Sequence, residues 1–488
     1  MKKSISESSD VDIIPKNDEI SPLRKKLMIA VMTFINLCNF ADRFAVAGVL
    51  SDVKIHFGTK DAELSDGNTG LIQTSFVIVF MIMSPIFGYL GDRYNRKIIL
   101  IFSQVCWLLS TLSATYVPDG KFMIFLFCRS MVGVGEASYA TITPSLIGSI
   151  YSGTSRTTAL IMFSLAIPIG SGLGYVLSSL LTSLFDSWRW GLRFSGVNGI
   201  IGILLILFVM KEPTRTTTGD INNTSKSSWI YDMKCILSKK TYILTTLGFT
   251  CFCFIVGALS FWSPHFMSFA YKMQHHSGIK LVPTIYGILT CAGGLIGVIL
   301  SKILLMLFGK YSRYTDSYIC SFSLLGSLPF LFCAIYLAET QIIATWILVA
   351  IGITILCLIW ALNTDILLKV IEPQRRSAAV STQILISHAF GDAGSPYLVG
   401  LFSDLMKNSY SYKSPAIDFF SLQFSLYLTL LAASFGGVLY FCTTLFIDGE
   451  TVNVEEVKPI LNSDSDESQL SNTKSINETS SMLPNYEN

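Results

Sequence analysis

The sequence has few charged residues for its length. Of its 488 residues, 14% are Asp, Glu, Lys or Arg, 51% are hydrophobic, and the mean hydropathy is +0.54. Soluble globular chains carry about 25% charged residues, so the composition excludes a soluble protein and indicates a membrane protein. The net charge of +2 averages basic loops with an acidic C-terminal tail. It therefore points to no particular partner, and we expect no nucleic acid.

Other patterns are also missing. Runs such as "GIIGILLILFVM" do not alternate between polar and apolar residues, so a β-barrel is excluded and the spans are predicted to be helices. The segment "GVGEAS" lacks the strand-turn-helix context of a nucleotide loop, and no His, Cys or Asp cluster has metal-binding spacing. We therefore expect no enzyme activity, no cofactor and no metal. All eleven cysteines except Cys235 fall in predicted spans, so no disulfide is expected.

Long apolar windows recur along the chain, each about long enough to cross a hydrocarbon core of roughly 30 Å. The first follows a polar N-terminal segment and reaches full spanning length, so we expect no cleavable signal. Twelve spans are predicted, beginning near Leu27, Leu71, Ile98, Phe122, Thr157, Trp190, Tyr242, Thr284, Thr315, Ile342, Ala378 and Leu422.

Lys and Arg are unevenly distributed between the two sets of loops. They are more than twice as frequent in the N-terminal tail and the loops after even-numbered spans as in the other loops. The positive-inside rule then predicts that both termini are cytosolic, and that the sequons at Asn222, Asn223 and Asn477 carry no glycan. The predicted segments are a cytosolic tail (1–26), a six-helix half (27–210), a cytosolic linker (211–240), a second six-helix half (241–446) and a cytosolic tail (447–488).

The two halves resemble each other. "AIPIGSGLGYVLSS" in span 5 is matched by "GDAGSPYLVGLFSD" in span 11, both rich in small residues and interrupted by a proline, Pro168 or Pro396. We interpret these motifs as close-packing and hinge points. Two similar halves also predict a substrate site between them, near the middle of the membrane.

The stretch "GYLGDRYNRK" lies between spans 2 and 3 and concentrates charge in a short turn. It resembles the loop signature of the major facilitator superfamily, in which it acts as a latch between the halves. On this resemblance Gly88 lets a neighbouring backbone approach, while Asp92, Arg93, Arg96 and Lys97 form ion pairs and reach helix ends. The alternative is that the three basic residues only set the topology.

Span 4 carries two charges in "RSMVGVGEASY", Arg129 and Glu136. Their seven-residue spacing places them within about 20° of one helix face and about 10 Å apart along the axis. Charges at such depth are by default functional and paired. Asp42, in "NFADRF" of span 1, is the natural partner of Arg129 if both spans line a central cavity. A static Asp42–Arg129 pair, and a Glu136 that only accepts hydrogen bonds from hydroxyl groups, remain alternatives.

Span 11 contains His388 and Asp392, four residues apart and therefore on one helix face. They are predicted to form a titrating pair. A hydrogen bond that merely joins two helices is an equally good interpretation.

In combination, "NFADRF", "GYLGDRYNRK", "RSMVGVGEASY", "WRWGLRFSG", "EPTR" and "SHAFGDAGSPYLVGLFSD" resemble the Spinster family of lipid transporters. The resemblance implies the major facilitator fold of two six-helix halves, and a secondary active transporter that works by alternating access as a monomer. It implies that Asp42 and Glu136 take part in proton coupling or cavity gating and that Arg129 is essential for transport. It also implies a lysophospholipid or sphingoid phosphate as cargo, carried by proton coupling or down its gradient. A lipid scramblase or channel, and a lipid sensor, remain alternatives of other classes.

The C-terminal tail contains "EEVKPIL", in which Glu456 precedes Ile460 and Leu461 by four residues. This spacing resembles an acidic dileucine signal for sorting to late endosomes and lysosomes. We therefore expect a lysosomal membrane, with the plasma membrane as the alternative.

Overall fold

A computed structural model describes residues 21–59, 63–151, 153–212, 229–274, 279–372, 375–410 and 414–450. The predicted sorting residues Glu456, Ile460 and Leu461, and the three sequons, lie outside the described residues. The backbone at Asp92 is described but its side chain is not.

The first half is a bundle of helices connected by short turns. It comprises α1 (Pro22–Gly48), α2 (Leu50–Phe57), α3 (Asp66–Arg93), α4 (Arg96–Thr115), α5 (Phe122–Ile150), α6 (Gly153–Phe185) and α7 (Trp188–Val209). A shorter helix, α8 (Trp229–Ser238), follows within the predicted linker and contacts the second half.

The second half repeats this arrangement. It comprises α9 (Lys240–Met273), a 3₁₀ turn (Ile279–Leu281), α10 (Val282–Phe308), α11 (Thr315–Leu337), α12 (Ile342–Leu356), α13 (Ile359–Val370), α14 (Arg376–Ser387), a π-helical turn (His388–Asp392), α15 (Gly394–Asn408), α16 (Pro415–Thr443) and α17 (Ile447–Glu450).

Nine helices of the described residues are long and apolar enough to span a membrane. The other three spans are α5, which combines Gly, Ser and Thr residues with two charges, and two helices that are interrupted near their middle. One interruption separates α12 from α13, and the other is the π turn between α14 and α15. The chain is therefore an all-α membrane protein with twelve spans in two six-helix halves. The parts of the interrupted spans are only 12 or 15 residues long, so none of them spans a membrane alone. Irregular backbone inside a membrane must be buried or line a cavity.

The two halves meet through α3 against α15 and α6 against α10. Small residues allow this approach: a Cβ atom on Gly70 would lie 2.4 Å from the carbonyl oxygen of Pro396, and one on Gly172 would lie 2.6 Å from that of Gly287. The face where α1 begins and α16 ends is called the terminal side below, and the other face the opposite side. Both contacts lie between mid-depth and the opposite side.

Candidate functional site

Asp42 is fully buried and fixes three helices of the first half. Its Oδ2 atom accepts hydrogen bonds from Arg129 Nη1 at 3.2 Å, Trp107 Nε1 at 3.3 Å and Thr111 Oγ1 at 3.3 Å. The structure thus brings Asp42 and Arg129 together, as the sequence predicts. Asp42 Oδ1 and Arg129 Nε are buried without a hydrogen-bond partner among the described residues. The pair therefore retains one free acceptor and one free donor.

Arg43, the next residue of α1, points toward the second half. Its guanidinium lies 3.7 Å from Glu136 Oε1 of α5 and 3.5 Å from Asp392 Oδ2 of the π turn, and it stacks over the ring of Phe76 at 5.2 Å. Arg43 Nε is also buried without a hydrogen-bond partner in the described part of the chain. Glu136 is therefore paired with Arg43 and not with Arg129, its neighbour on α5. The sequence shows Arg43 but assigns it no partner.

His388 and Asp392 are placed together by the π turn. His388 Nδ1 lies 2.6 Å from Asp392 Oδ2, the atom that also contacts Arg43. The turn is closed by a hydrogen bond from the Ala393 N–H to the His388 carbonyl, one residue wider than an α-helical bond. Pro396 follows and lacks an N–H, so it cannot donate back to the turn. The interruption predicted at Pro396 is thus centred on the two titratable residues.

We call Asp42, Arg43, Arg129, Glu136, His388 and Asp392 the central cluster. It joins both halves near mid-depth, because Arg43 belongs to the first half and Asp392 to the second. The Thr74 hydroxyl adds a second link by donating to the Ala393 carbonyl at 2.5 Å. The central cluster contains two cations and three carboxylates, which are largely withdrawn from water. Charges interact more strongly in such a buried environment than they do in water.

A second set of charges, which the sequence does not reveal, holds the halves together at the opposite side. Asp66, at the start of α3, contacts Lys54 Nζ at 2.5 Å and Lys407 Nζ at 2.6 Å, and accepts from Ser403 Oγ at 2.7 Å. The carboxylate of Asp404 accepts the backbone N–H groups of Asp66 at 2.9 Å and of Gly67 at 2.7 Å. Residues of α15 thus cap the N-terminus of a helix in the other half, and the bundle is closed on this side.

The predicted latch makes contacts within the first half. Arg96 donates to the Gly91 carbonyl at 3.2 Å and to Ser149 Oγ at 2.7 Å, and Lys97 Nζ donates to the Leu207 carbonyl at 2.7 Å. Arg93 is exposed and stacks on Tyr89 at 4.3 Å.

The close approach predicted at Gly88 is absent from this conformation and stays a prediction for the other facing state. A Cβ atom on Gly88 would meet no atom within 4 Å. The close contact is instead at Gly91, where a Cβ atom would lie 2.9 Å from Ile142 Cγ1. The physical reason is the position of the residues on α3: Gly91 faces α5 of its own half, whereas Gly88 does not.

Pro168 lies within α6, close to the surface between the halves. A Cβ atom on Gly294 of α10 would lie 3.1 Å from Cβ of the Pro168 ring. Its carbonyl accepts a hydrogen bond from Ser171 Oγ at 2.9 Å. Pro168 and Pro396 are therefore both at places where the halves pack together, which suits the predicted gating role without testing it.

Comparison with known proteins gives a consistent result. The model of the Major Facilitator Superfamily matches residues 32–396. Protein spinster homolog 1 of Rattus norvegicus is 39% identical over 435 residues, which cover 87% of this chain and 81% of the relative. The Sphingosine-1-phosphate transporter SPNS2 of Xenopus tropicalis is 37% identical over 437 residues, covering 88% and 83%.

Solved structures share the fold. A bacterial homolog to the human lysosomal transporter Spinster, in an inward-facing and unoccupied conformation, superposes with a TM-score of 0.76 at 18% identity, covering 89% of this chain and 100% of that one. A D-xylose-proton symporter superposes with a TM-score of 0.69 at 15% identity, covering 88% and 99%. From the family model and the identity to its relatives, the chain belongs to the Spinster family of the major facilitator superfamily.

Proposed function

We propose that this chain is a secondary active lipid transporter that works by alternating access and exports lysophospholipids from the lysosome together with protons. The observation that supports it best is Arg43, which at mid-depth contacts a carboxylate of each half, Glu136 and Asp392. A static bundle has no need of buried ion pairs across its central interface, because such pairs stabilise poorly compared with apolar packing. An ion pair shared between two moving halves can instead be broken and remade.

The conformation agrees with this mechanism. Contacts between the halves at mid-depth and the opposite side include Tyr175 OH to the Ser260 carbonyl at 2.5 Å and Ser179 Oγ to the Lys280 carbonyl at 2.6 Å. We infer that the central cluster is reached from the terminal side, which the charge distribution predicts to be cytosolic. Transport then requires that the opposite side opens while the latch at Asp92 closes the terminal side.

The central cluster suits a lipid head group. A phosphate carries negative charge and accepts several hydrogen bonds, and the Nε atoms of Arg43 and Arg129 are buried donors without a partner among the described residues. Phe76 stacks on Arg43 and belongs to a hydrophobic cluster with Val77 and Trp107, and an acyl chain bound beside Arg43 would contact such apolar side chains.

Proton coupling follows from competition for the guanidinium groups. When a head group binds Arg43, Glu136 and Asp392 lose their cation and a proton must neutralise them in the membrane interior. Lipid and proton binding then favour each other, through the reciprocity of coupled binding. His388 would relay the proton, since it contacts Asp392 directly. Asp42 already receives three hydrogen bonds on one oxygen, so the static-pair interpretation remains an alternative for that residue.

A sphingoid phosphate is the second candidate cargo, favoured by the identity to a relative named Sphingosine-1-phosphate transporter. It carries the same phosphate and an alkyl chain, so the same cluster could bind it. For that cargo the plasma membrane becomes the alternative location. In either case we propose a monomer.

The experiment is lipid flux in vesicles reconstituted with the full chain. A panel of labelled lysophospholipids and sphingoid phosphates is followed with and without a pH gradient, with protein-free vesicles as the control. The proposal predicts saturable flux of one lipid class that a pH gradient accelerates. Saturable lipid binding without flux would make the protein a sensor. Flux that persists unchanged when Asp92→Asn breaks the latch would make it a scramblase or channel.

A further inference from the structure

The contacts among Lys54, Asp66 and Lys407 close the bundle at the opposite side, and we call them the gate. His265 of α9 lies beside the gate, within hydrogen-bond distance of residues of the first half. Its Nε2 atom is 3.2 Å from Lys54 Nζ and its Nδ1 atom is 2.9 Å from Ser51 Oγ. His265 and Lys54 are both buried, with exposed fractions of 3% and 2%. The imidazole therefore bridges α9 of the second half to α2 of the first.

The contact with Lys54 fixes the protonation state of the ring in the closed gate. An ammonium group has three donors and no acceptor, so His265 Nε2 must offer its lone pair to Lys54. The ring is then neutral, with its proton on Nδ1 and directed at Ser51 Oγ. A second proton would place two donors and two positive charges 3.2 Å apart in a buried site.

The surroundings do not supply enough negative charge to compensate. From α3, Asp66 faces the ring, but its carboxylate is already bound to Lys54 and Lys407. Lys407 faces it from α15, and Lys272 lies on α9 itself. Two further acids contact the lysines: Glu63 is 3.7 Å from Lys54 and Asp418 of α16 is 3.0 Å from Lys407.

We propose that His265 is a second proton-binding site, separate from the central cluster, and that proton binding there opens the gate at the opposite side. A proton on His265 forces Lys54 away from Nε2 or the ring away from Lys54. Either movement disturbs the Lys54–Asp66–Lys407 bridge, which joins α2 and α3 to α15. In the open gate the ring meets water and can hold the proton. By linkage, acid at the opposite side favours the open gate.

The inference deepens the proposed function, on which it rests for the purpose of the gate. If the opposite side faces an acidic lumen, as the predicted topology and the expected lysosomal location together imply, acid would turn the cavity toward that side and admit the lipid that is to be exported. The central cluster would then bind the proton that moves with the lipid, and His265 would bind one that selects the facing state.

The test measures the gate itself and needs no transported lipid. Labels for distance measurement are attached at Lys121 and Glu339, exposed residues at the opposite side of the first and second halves. Non-canonical amino acids carry the labels, because the chain has eleven cysteines. The distance distribution is recorded for the full chain in lipid nanodiscs between neutral pH and about pH 5.5, the range in which histidine titrates.

Three forms are compared. One linked proton changes the ratio of open to closed gate by at most about tenfold per pH unit, so we expect the wild-type open fraction to rise severalfold in acid. His265→Gln keeps an acceptor for Lys54 and cannot take up the proton, so its open fraction should stay low throughout. The matched control is His56→Gln. His56 lies on α2, the helix that carries Lys54, but contacts Asp119 of its own half at 3.2 Å, so its loss should leave the acid response intact.

Other outcomes overturn the inference. The inference fails if the open fraction of the wild type does not change with pH, or if that of His265→Gln still rises in acid. It also fails if His265→Gln is already open at neutral pH, because the ring would then only hold the gate closed. If His265→Gln does not fold, Lys54→Met replaces it: with no ammonium to repel, the acid response should be lost, and its persistence would contradict the proposal. Because no lysophospholipid or sphingoid phosphate is added, an acid-opened gate in a protein that transports neither lipid would refute the proposed function alone.

Discussion

Arg43 and Asp392 lie 3.5 Å apart and form an ion pair between the two halves of the bundle near mid-depth. The arginine is on an unbroken α-helix, whereas the aspartate is on a π turn, where the backbone is irregular. The same guanidinium also contacts Glu136 of its own half. Arg43 is therefore the one side chain of the central cluster through which both halves and two carboxylates are linked.

The first prediction concerns the loss of this cation. Arg43→Ala leaves Glu136 and Asp392 without their cation. Removing one partner of a buried ion pair lowers the stability of the folded state by about 3–5 kcal/mol. We expect lipid flux to fall by more than about tenfold, a factor that corresponds to only 1.4 kcal/mol. Arg43→Lys, which keeps the charge with fewer donors, should retain part of the flux. Flux in reconstituted vesicles measures both variants.

Arg24→Ala provides the control, since Arg24 lies on the same helix but donates to the Val209 carbonyl at the terminal side, at 3.1 Å. Its flux should remain near that of the wild type. An Arg43→Ala protein that elutes as a folded monomer and transports at the wild-type rate would remove Arg43 from the mechanism.

The second prediction concerns the cap that one half supplies to the other. Asp404→Ala removes the acceptor of two N–H groups at the start of α3, Asp66 and Gly67. Loss of a helix N-cap costs about 0.5–2 kcal/mol, and here the loss falls only on the closed state. We expect a larger fraction of molecules with an open gate, measured from the distribution of distances between labels at Lys121 and Glu339.

Ser65→Ala is the matched control for this helix end. Ser65 Oγ accepts the N–H of Asn68 at 3.3 Å, a cap formed entirely within the first half. Its removal should lower the stability of α3 in the closed and open states alike and leave the label distance unchanged. Equal effects of the two substitutions on the distance would show that Asp404 does not hold the gate.

The third prediction uses two glycines that differ in their surroundings. In Gly172→Ala the new Cβ atom would lie 2.6 Å from the Gly287 carbonyl oxygen and 2.7 Å from Cys291 Cβ. Overpacking costs about 1–3 kcal/mol, so this conformation should become less populated and the opposite side should open. Gly88→Ala meets nothing within 4 Å here, so any effect of it must arise in the other facing state.

The same label distance distinguishes the two variants. Gly172→Ala should lengthen it, whereas Gly88→Ala should leave it unchanged or shorten it by disfavouring closure of the terminal side. A lengthened distance in Gly88→Ala would contradict the predicted approach of a neighbouring backbone at that residue.

Much of the fold is predictable because hydropathy reports directly on the membrane. The spans predicted to begin at Phe122, Thr315 and Ile342 begin at those residues in the structure. The span predicted at Leu422 begins earlier, at Pro415, because its first two turns extend beyond the apolar window and include Asp418. Hydropathy locates the apolar part of a helix but not its polar ends.

The site is predictable only in part, for a geometric reason. Consecutive residues of an α-helix point about 100° apart, so Asp42 can face Arg129 while Arg43 faces elsewhere. The sequence cannot show that the other direction leads to Asp392 of the second half. The gate is harder still: Lys54, Asp66 and Lys407 each resemble isolated charges near a span end, and only the closed conformation brings them together.

The central claim is that the lipid head group and the carboxylate of Glu136 compete for the guanidinium group of Arg43, so that lipid binding releases Glu136 to take up a proton. The most direct test records lipid flux and proton flux in the same vesicles, for the wild type and for Glu136→Gln, which cannot ionise. The account predicts that the wild type moves protons only with its lipid and is accelerated by a pH gradient. Glu136→Gln should exchange lipid across the membrane at equal pH but lose the acceleration. A Glu136→Gln protein with the full response to the gradient would contradict the coupling role and leave Glu136 as a structural acceptor.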